Sequence, residues 1–355
     1  MMTRVADTQI PTSSAGPLAR QAVAVRAMGS DFVAMILEAG ERHLWRAPRT
    51  KTLIATWSGD AAADALAMRF NTALHALALG ATVPALTTLY ALRTGDFDAV
   101  ISEALATADT FIAAWMRDPP QTNEIGRSAA IMAALMVLRG FHDLPCDLRE
   151  LGASAGLNLN LAHYAYDLGG RTVGMASSPV RIAPRWCGAP PPVRPVDIRS
   201  AKGVDLRPLD VADAATRTRL LTHVWADEPV RADRLRQAIA LAQTHPPQVV
   251  QGDIVSWLPD ELAAPQSADT CRVIIHSMSI QYLHRDDRQA VEYALQTAGD
   301  RATIARPLAR IAYEWTEARD AVHLTLTTWP GNRTYHLATC HAYGAWIDWH
   351  GVPAA

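Results

Sequence analysis

The chain has 355 residues, enough for two domains, and its 49% hydrophobic and 19% charged residues are typical of a globular protein. The formal net charge of −2, without any dense run of Lys or Arg, argues against a nucleic-acid-binding surface. The cysteines lie far apart and form no Cys-x-x-Cys pair, so neither a zinc knuckle nor a redox disulfide is predicted; they are Cys146, Cys187, Cys271 and Cys340. We therefore expect a reduced, cytoplasmic protein without a metal site.

The first part of the chain predicts a leader followed by a helical domain. Residues 1–17 are polar and contain no apolar signal core, so we expect a disordered leader. Residues 18–145 carry apolar side chains at helical spacing in three stripes, which are Leu66/Phe70/Leu74/Leu77, Ile101/Leu105/Ala108/Ile112/Trp115 and Ile131/Leu135/Leu138. The uncharged stretch 71–92 is interrupted by Gly80 and Pro84, and it predicts two buried helices rather than a membrane span.

From residue 146 onward, short strand-like segments alternate with helical ones, which is typical of a parallel sheet flanked by helices. We predict strands over 147–151, 203–206, 248–251, 273–275 and 308–313, and helices over 157–166, 216–224, 231–243 and 288–297. A Pro-rich segment at about 170–200 predicts an insertion. The segments 322–328, 335–339 and 345–349 predict an antiparallel meander.

The segment 150–156, Glu-Leu-Gly-Ala-Ser-Ala-Gly, follows the first predicted strand and is the most informative feature of the sequence. Gly152 permits a tight turn, and Gly156 lets the next helix pack close to the strand. Backbone N–H groups at the start of that helix then face a polar ligand. The same residues also fit the Gly-x-Ser-x-Gly elbow of α/β-hydrolases, in which Ser154 would be the nucleophile.

The segment 150–156 resembles the first motif of the class I S-adenosylmethionine (SAM) methyltransferases, with Ser154 in place of the usual middle glycine. The resemblance implies that Glu150 binds the amino-acid portion of SAM. Segments 203–208 and 249–254 resemble the second and third motifs, which implies that Asp205 accepts hydrogen bonds from the ribose hydroxyls and that Asp253 meets the adenine amino group. Segment 273–282 fits the fourth motif in position but lacks the Asn-Pro-Pro-Tyr signature of amino-nitrogen methyltransferases.

These motifs define a set of predicted cofactor-binding residues at the ends of the predicted strands. They are Glu150, Gly152, Ala153, Ser154, Gly156, Asn158, Asp205, Leu206, Asp253, Ile254, His276 and Ser277. His276 follows an apolar strand at the edge where an open α/β sheet binds its ligand, so it is also a candidate general base. Tyr282 and Glu314 are its predicted neighbours. For each of these side chains the alternative is a hydrogen-bonded structural role.

Residues 123–127, Asn-Glu-Ile-Gly-Arg, precede an apolar helix and have two interpretations. In the first, Asn123 caps the helix and Glu124 complements its dipole. In the second, the segment reaches into the pocket, where Glu124 and Arg127 serve catalysis or substrate binding and Arg127 holds a carboxylate.

Three functions follow from the glycine loop. We favour a SAM-dependent methyltransferase that acts on a small molecule. A serine hydrolase built on Ser154 needs an acid and a histidine, for which the candidates are Asp205 or Asp253 and His276, His323 or His336. Against it, the helical region upstream holds no His-Gly-Gly oxyanion stretch. The third is a non-catalytic protein of the same fold that binds SAM, a nucleotide or a protein partner.

Over nearly its whole length the chain is similar to a bacterial family known only as a domain of unknown function. The similarity rests on segments 123–127, 150–159, 178–181 and 203–210 and implies no activity. From the sequence patterns and the two resemblances together, we expect an all-α domain over 18–145. We expect it to be followed over 146–355 by an α/β class I methyltransferase-like Rossmann sheet with a C-terminal antiparallel hairpin. The expected partner is a small-molecule substrate, with neither nucleic acid nor membrane.

Overall fold

The computed structural model describes residues 16–352, which divide into two compact units. The first unit holds the described residues up to Gln121 together with Thr218–Ala232. The second holds Thr122–Arg217 and the described residues from Asp233 onward. The helix that follows segment 123–127 therefore belongs to the second unit, beside the sheet.

The first unit is helical. Its helices are α1 (Pro17–Ala27), α2 (Asp31–His43), α3 (Pro48–Ala55), α4 (Leu66–Leu79), α5 (Pro84–Leu92) and α6 (Phe97–Trp115). The predicted leader, 1–17, lies outside the described residues except for Gly16 and Pro17, with which α1 begins. Asp96 is the N-terminal cap of α6, because its carboxylate accepts the N–H of Ala99 at 2.9 Å.

The predicted apolar stripes of α4 and α6 form the core of this unit. Leu66, Phe70 and Leu74 pack in one buried cluster with Ile101 and Leu105. No single helix in the described part of the chain is both long and apolar enough to cross a membrane, and α4 and α5 meet that test only as a pair, across a bend of 105°.

The second unit contains five helices in whole or in part, and two sheets. The helices are α7 (Ser128–Phe141), α8 (Ala214–Thr222), α9 (Pro229–Thr244), α10 (Ile254–Ala263) and α11 (Arg285–Gly299). The strands are β1 (Cys146–Leu151), β2 (Ala165–Asp167), β3 (Thr172–Gly174), β4 (Arg181–Ile182), β5 (Arg185–Cys187), β6 (Ile198–Asp205), β7 (Gln248–Gln251), β8 (Cys271–Ser277), β9 (Leu308–Trp315), β10 (Val322–Trp329), β11 (Arg333–Cys340) and β12 (Trp346–Trp349).

Nine strands form the large sheet, in the order β5-β12-β11-β10-β9-β8-β1-β6-β7. The strands β7, β6, β1, β8 and β9 pair in parallel. From β9 to β12 the pairing is antiparallel, which is the meander predicted from the sequence. The chain is thus a mixed α/β protein with a large, parallel-rich sheet and many helices.

The pairing register assigns side chains to the two faces of this sheet, because alternate residues of a strand point to opposite faces. Leu151 of β1 lies opposite His276 of β8, and Glu150 lies opposite Ile275. The face of Leu151 packs against α10 and α11 through a buried apolar cluster. The face of Glu150 meets α7 and the short 3-10 helix Leu157–His163.

The helix predicted over 157–166 is present only in part, as a 3-10 helix that ends at His163. The chain forms the 3-10 helix Leu157–His163 and then enters β2. The hydroxyls of Tyr164 and Tyr166 donate to the carbonyls of Leu157 and Leu161, which an α-helix would bond to its own N–H groups. The N–H of Ala165 meanwhile donates to Val180 at 2.9 Å, outside the helix. Tyrosine hydroxyls and strand pairing therefore replace the second half of the predicted helix.

The Pro-rich insertion contains strands that the sequence did not predict. β3, β2 and β4 form a separate three-stranded sheet. β5 leaves that sheet and joins the edge of the large one, pairing in parallel with β12. The rings of Trp186 in β5 and Trp349 in β12 lie 5.4 Å apart between centroids. The insertion thus closes the edge of the sheet that is remote from β7.

Candidate functional site

The glycine loop follows β1 and depends on the small residues that the sequence places there. Gly152 has φ +72°, and a Cβ added to it would lie 2.4 Å from the Cβ of Ser279. Gly156 has φ +70°, and its added Cβ would lie 2.7 Å from side-chain atoms of Pro247 and Val249. Both positions therefore require glycine, for backbone conformation and for space.

Ser154 occupies a backbone conformation that favours glycine. Its φ is +54°, in the left-handed region, which is costly for a residue with a Cβ. This is the position at which the methyltransferase motif usually has its middle glycine. The loop therefore has the backbone conformation of a glycine at a position where the sequence supplies serine.

Asp205, at the end of β6, fastens this loop. Its Oδ2 accepts the backbone N–H of Ser154 at 2.8 Å, and its Oδ1 accepts the N–H of Arg207 at 2.9 Å. The N–H groups of Gly152 and Ala153 donate to the carbonyl of Val204 at 2.9 and 3.0 Å. The loop after β1 is thus joined to the end of β6 by three hydrogen bonds from backbone N–H groups, and the bond from Arg207 closes the turn after β6.

Glu150 is the buried acid of the site, with only 2% of its surface exposed. Its Oε1 accepts a long hydrogen bond of 3.4 Å from Nδ2 of Asn158, whose Oδ1 accepts the hydroxyl of Ser128 at 2.7 Å. Burial raises the pKa of Glu150 to about 8, against the lowering effects of Asn158 and of the positive charge of Arg127. At neutral pH this carboxyl group is therefore mainly protonated.

Two buried polar atoms of the site have no hydrogen-bond partner among residues 16–352. They are Oε2 of Glu150 and Oγ of Ser154. Buried polar atoms in folded proteins are nearly always hydrogen-bonded, so an unpaired one marks a functional group or a place for a bound molecule. Both atoms belong to the glycine-loop motif.

The segment 123–127 packs against this loop from the start of α7. Oδ1 of Asn123 accepts the N–H of Leu157 at 2.8 Å, so Asn123 holds the loop and does not cap α7. Glu124 caps the short 3-10 helix Ile125–Arg127 that precedes α7, because its Oε1 accepts the N–H of Gly126 at 2.8 Å, and α7 itself has no side-chain cap among the described residues. Glu124 is 5% exposed.

Arg127 is buried and is held by backbone carbonyls. Its Nε donates to Ala342 at 2.9 Å, and its Nη1 donates to Ser277 at 3.0 Å. Arg127 thus joins the end of β8 to the segment after β11. Its positive charge lowers the pKa of Glu150, against the larger effect of burial. Arg127 and Ser277 are therefore on the same side of the sheet as the buried acid.

His276 lies on the other face of the sheet. Its Nδ1 is 2.7 Å from Oε1 of Glu314, and Nε of Arg310 donates to its Nε2 at 2.8 Å. Arginine is only a donor, so Nε2 is unprotonated, Nδ1 carries the hydrogen, and the ring is neutral. Burial and then the charge of Arg310 lower the pKa of His276, in agreement. Of its two predicted neighbours, Glu314 contacts His276, while Tyr282 is 79% exposed.

The remaining predicted cofactor residues lie after β6 and β7. Leu206 is 64% exposed beside Asp205. Asp253 caps α10, with its Oδ2 accepting the N–H groups of Val255 and Ser256 at 3.1 and 3.2 Å. Ile254 is buried in the apolar cluster beneath α10. Asp253 therefore has a structural role at the same edge of the sheet as Asp205.

The residues of a hydrolase triad are not brought together. No histidine in the described part of the chain bonds to Oγ of Ser154, and His276 faces the opposite side of the sheet. His323 and His336 contact each other in the meander, with ring centroids 4.1 Å apart and ring planes tilted by 38°. The carboxylate of Asp205 binds backbone N–H groups of the loop and its own turn.

Several contributors to the site were not predicted from the sequence. The hydroxyl of Ser128 fixes Asn158, and the hydroxyl of Ser279 donates to the carbonyl of Leu151 at 2.7 Å. Both serines are remote from the loop in sequence, and neither lies in a motif. Only the packing of α7 and of the segment after β8 brings them to the end of β1.

The fold and this loop place the protein among mixed α/β proteins with a parallel-rich sheet and a buried carboxyl group at the end of the first strand. The chain belongs to the family described as uncharacterized protein conserved in bacteria (DUF2332), whose sequence profile matches residues 15–349. Neither the curated proteins nor the solved structures contain a match to the chain.

Proposed function

We propose that the protein binds SAM at the glycine loop and transfers its methyl group to a small molecule. The observation that carries this proposal is the unpaired Oε2 of Glu150, a carboxyl oxygen that is buried at the end of β1. A ligand with an ammonium group favours loss of the proton from this acid and then donates a hydrogen bond to Oε2 of the carboxylate.

The strand order supports the proposal. Counted along the chain, the parallel strands are β1, β6, β7, β8 and β9, and in the sheet they lie in the order third, second, first, fourth, fifth. This is the order of the nucleotide-binding Rossmann sheet, in which ligands bind at the carboxyl ends of the strands where the order reverses. Here the reversal lies between β1 and β8, beside Glu150. Beyond β9 the sheet continues as a meander.

The functional groups of the loop and its neighbours match the chemical groups of SAM. Glu150 binds the ammonium group, and the glycine-loop backbone approaches the ligand because Gly152 and Gly156 carry no side chain. Asp205 accepts hydrogen bonds from the ribose hydroxyls. A carboxylate accepts several hydrogen bonds at once, so its bond to Ser154 does not prevent this. The exposed side chain of Leu206 offers an apolar surface to the adenine ring.

When bound, SAM supplies an electrophilic methyl group on a sulfonium sulfur. The protein then has to hold the acceptor in line with that methyl group and exclude water. Arg127 and Glu124 lie on the face of Glu150 and are our candidates for orienting the acceptor. His276 faces the other side of the sheet and receives no role in this reaction. We place the reaction in the cytoplasm, in keeping with the free thiols of the described cysteines.

The test is isothermal titration of the purified protein with SAM, with the demethylated product S-adenosylhomocysteine and with NAD. We expect micromolar binding of SAM that Glu150→Gln and Asp205→Ala both remove. Asp210→Asn is the matched control, because Asp210 follows the same strand, is exposed, and uses its carboxylate to accept the N–H of Ala212 at 2.8 Å.

Each other outcome of this test is informative. Failure of the wild-type protein to bind SAM overturns the proposal. Labelling of Ser154 by a fluorophosphonate probe would indicate the serine hydrolase instead. Binding of SAM without methyl transfer to any of a broad panel of acceptors would leave a SAM-binding protein that is not an enzyme.

A further inference from the structure

A cavity lies on the face of the sheet opposite Glu150. Its volume is about 330 Å³, and it opens between α11 and the strands β8 to β11. The polar residues that line it include His276, Arg310, Glu314, Thr325 and Thr327. Its volume is at the small end of the range for ligand pockets, about 300–1,000 Å³, so it suits a small molecule.

One wall of the cavity presents a fixed carboxylate. Oε1 of Glu314 accepts hydrogen bonds from Nδ1 of His276 at 2.7 Å and from the N–H groups of Ser279 and Ile280 at 3.1 and 3.2 Å. The other oxygen, Oε2, is buried and has no donor among residues 16–352. Glu314 is therefore held rigidly by one oxygen while the second lacks a cation or an N–H group.

The neighbouring wall presents a guanidinium group. Nε of Arg310 donates to His276 at 2.8 Å, and Nη1 lies 2.6 Å from a carboxylate oxygen of Glu292. The side chain of Glu292 is 58% exposed and that of Arg310 is 16% exposed, so solvent screens the Glu292 end of this ion pair. The carboxylate of a ligand can therefore replace Glu292, while Nε of Arg310 stays bound to the buried imidazole.

In the described part of the chain, three charged side chains line the cavity, and they are Glu292, Glu314 and Arg310. An anion alone would meet Arg310 but face the unpaired oxygen of Glu314. A cation alone would pair with Glu314 and leave Arg310 with Glu292, so it would use only one of the two walls. His276 adds no charge, because its Nε2 accepts a hydrogen bond and the ring is neutral. A molecule that carries both an ammonium group and a carboxylate satisfies both walls.

We propose that this cavity binds a small zwitterion of the α-amino acid class. Its ammonium group pairs with Oε2 of Glu314, and its carboxylate pairs with the guanidinium of Arg310. The hydroxyls of Thr325 and Thr327 complete the polar contacts, and Ile280 and Leu295 give an apolar surface for the ligand's side chain. This site is separate from the glycine loop and does not depend on SAM binding there.

The experiment is thermal denaturation of the full chain with each of the proteinogenic L-amino acids, followed by titration calorimetry of those that raise the Tm. Each such amino acid is compared with its carboxamide, its decarboxylated amine and its deaminated acid. We expect the zwitterion to bind at least tenfold more tightly than any of the three analogues. This comparison uses the wild-type protein and does not depend on the folding of a variant.

Three variants locate the site. Ala312 lines the cavity, so Ala312→Leu fills it without removing a charge, and Glu314→Gln removes the proposed ammonium partner. Both are expected to abolish binding of the amino acid. Glu150→Gln alters the glycine loop on the other face and is expected to leave this binding unchanged.

Three results would overturn the proposal. The first is that no amino acid shifts the Tm, and the second is that an amine or an acid alone binds as tightly as the zwitterion. The third is that binding survives Ala312→Leu but is lost in Glu150→Gln, which would assign the amino acid to the glycine loop. The titration with SAM is a separate measurement, so failure of one proposal does not decide the other.

Discussion

Glu150 and His276 lie on opposite faces of the sheet, although they end neighbouring parallel strands. The register sets Leu151 opposite His276 and Glu150 opposite Ile275. The sequence motifs place both residues in one cofactor site, whereas the register divides them between two environments. The chemistry of the glycine loop therefore belongs to Glu150, and the buried histidine serves another part of the molecule.

Replacing His276 by alanine is expected to lower stability without changing affinity for SAM. The substitution leaves Nε of Arg310 and Oε1 of Glu314 without their imidazole partner, and an unsatisfied buried group costs about 1–3 kcal/mol. Urea denaturation measures the loss, and titration measures the affinity, which we expect within about twofold of the wild type. A tenfold loss of SAM affinity in a variant that is still folded under the titration conditions would contradict this division of roles.

The stability of the ligand-free protein is expected to fall as the pH rises between about 4.5 and 8, through the contribution of Glu150. Its pKa is raised from 4.5 to about 8 on folding, so the folded state binds more protons than the unfolded state over this interval. The free energy of unfolding then decreases with rising pH, and the stabilising proton is lost as the pH passes 8.

The measurement is the free energy of unfolding of the wild type and of Glu150→Gln at pH 5.5, 7 and 8.5, chosen as points about the two pKa values. Because other groups also titrate, the difference between the two proteins is the informative quantity. It should shift in favour of Glu150→Gln at the highest pH. A difference that is independent of pH would show that Glu150 does not carry a raised pKa.

Binding of SAM at pH 7 is expected to release nearly one proton from Glu150. In the free protein this acid is mainly protonated, and the ammonium group of the ligand favours its charged form. Titration calorimetry in buffers of different ionisation enthalpy measures the release. It should disappear well above pH 8, where Glu150 is already ionised. Binding without proton release at pH 7 would show that the ammonium group does not meet this carboxyl.

Ser154→Gly is expected to raise stability while retaining SAM binding. Glycine tolerates the φ of +54°, whereas a residue with a Cβ is penalised there by about 1–2 kcal/mol. The entropy that glycine adds to the unfolded chain offsets part of this gain. Ser154→Ala is the matched control, because it removes the hydroxyl and keeps the Cβ. Loss of a measured activity in both variants would show that the hydroxyl of Ser154 takes part in the chemistry.

The elements that are marked by short-range sequence patterns could be predicted well. The strand at 248–251 has the predicted bounds, and the turn at 150–156 has positive φ at Gly152 and Gly156. The face of the sheet on which the side chain of His276 lies could not be predicted, because a shift of one residue in strand register moves a side chain to the other face. The helix predicted over 157–166 ends at His163 and is of the 3-10 type, with two tyrosine hydroxyls bound to carbonyls of this segment.

Contacts between segments that are distant in the sequence could not be predicted either. Ser128 fixes the partner of Glu150, and Arg310 fixes the tautomer of His276, yet neither lies in a motif. A side chain of this kind acts through the fold, and only the packing of helices and strands reveals its partner.

The pairing of β5 with β12 also affects how the protein assembles. β5 comes from the middle of the chain, and its partner is made only after every other strand of the large sheet. During synthesis the insertion therefore has no place in that sheet until β12 is made, so this edge forms late. The edge strand is only three residues long and is followed by prolines at 190–192, which limits pairing with other chains. At this edge the insertion thus limits pairing with other chains only once the sheet is complete.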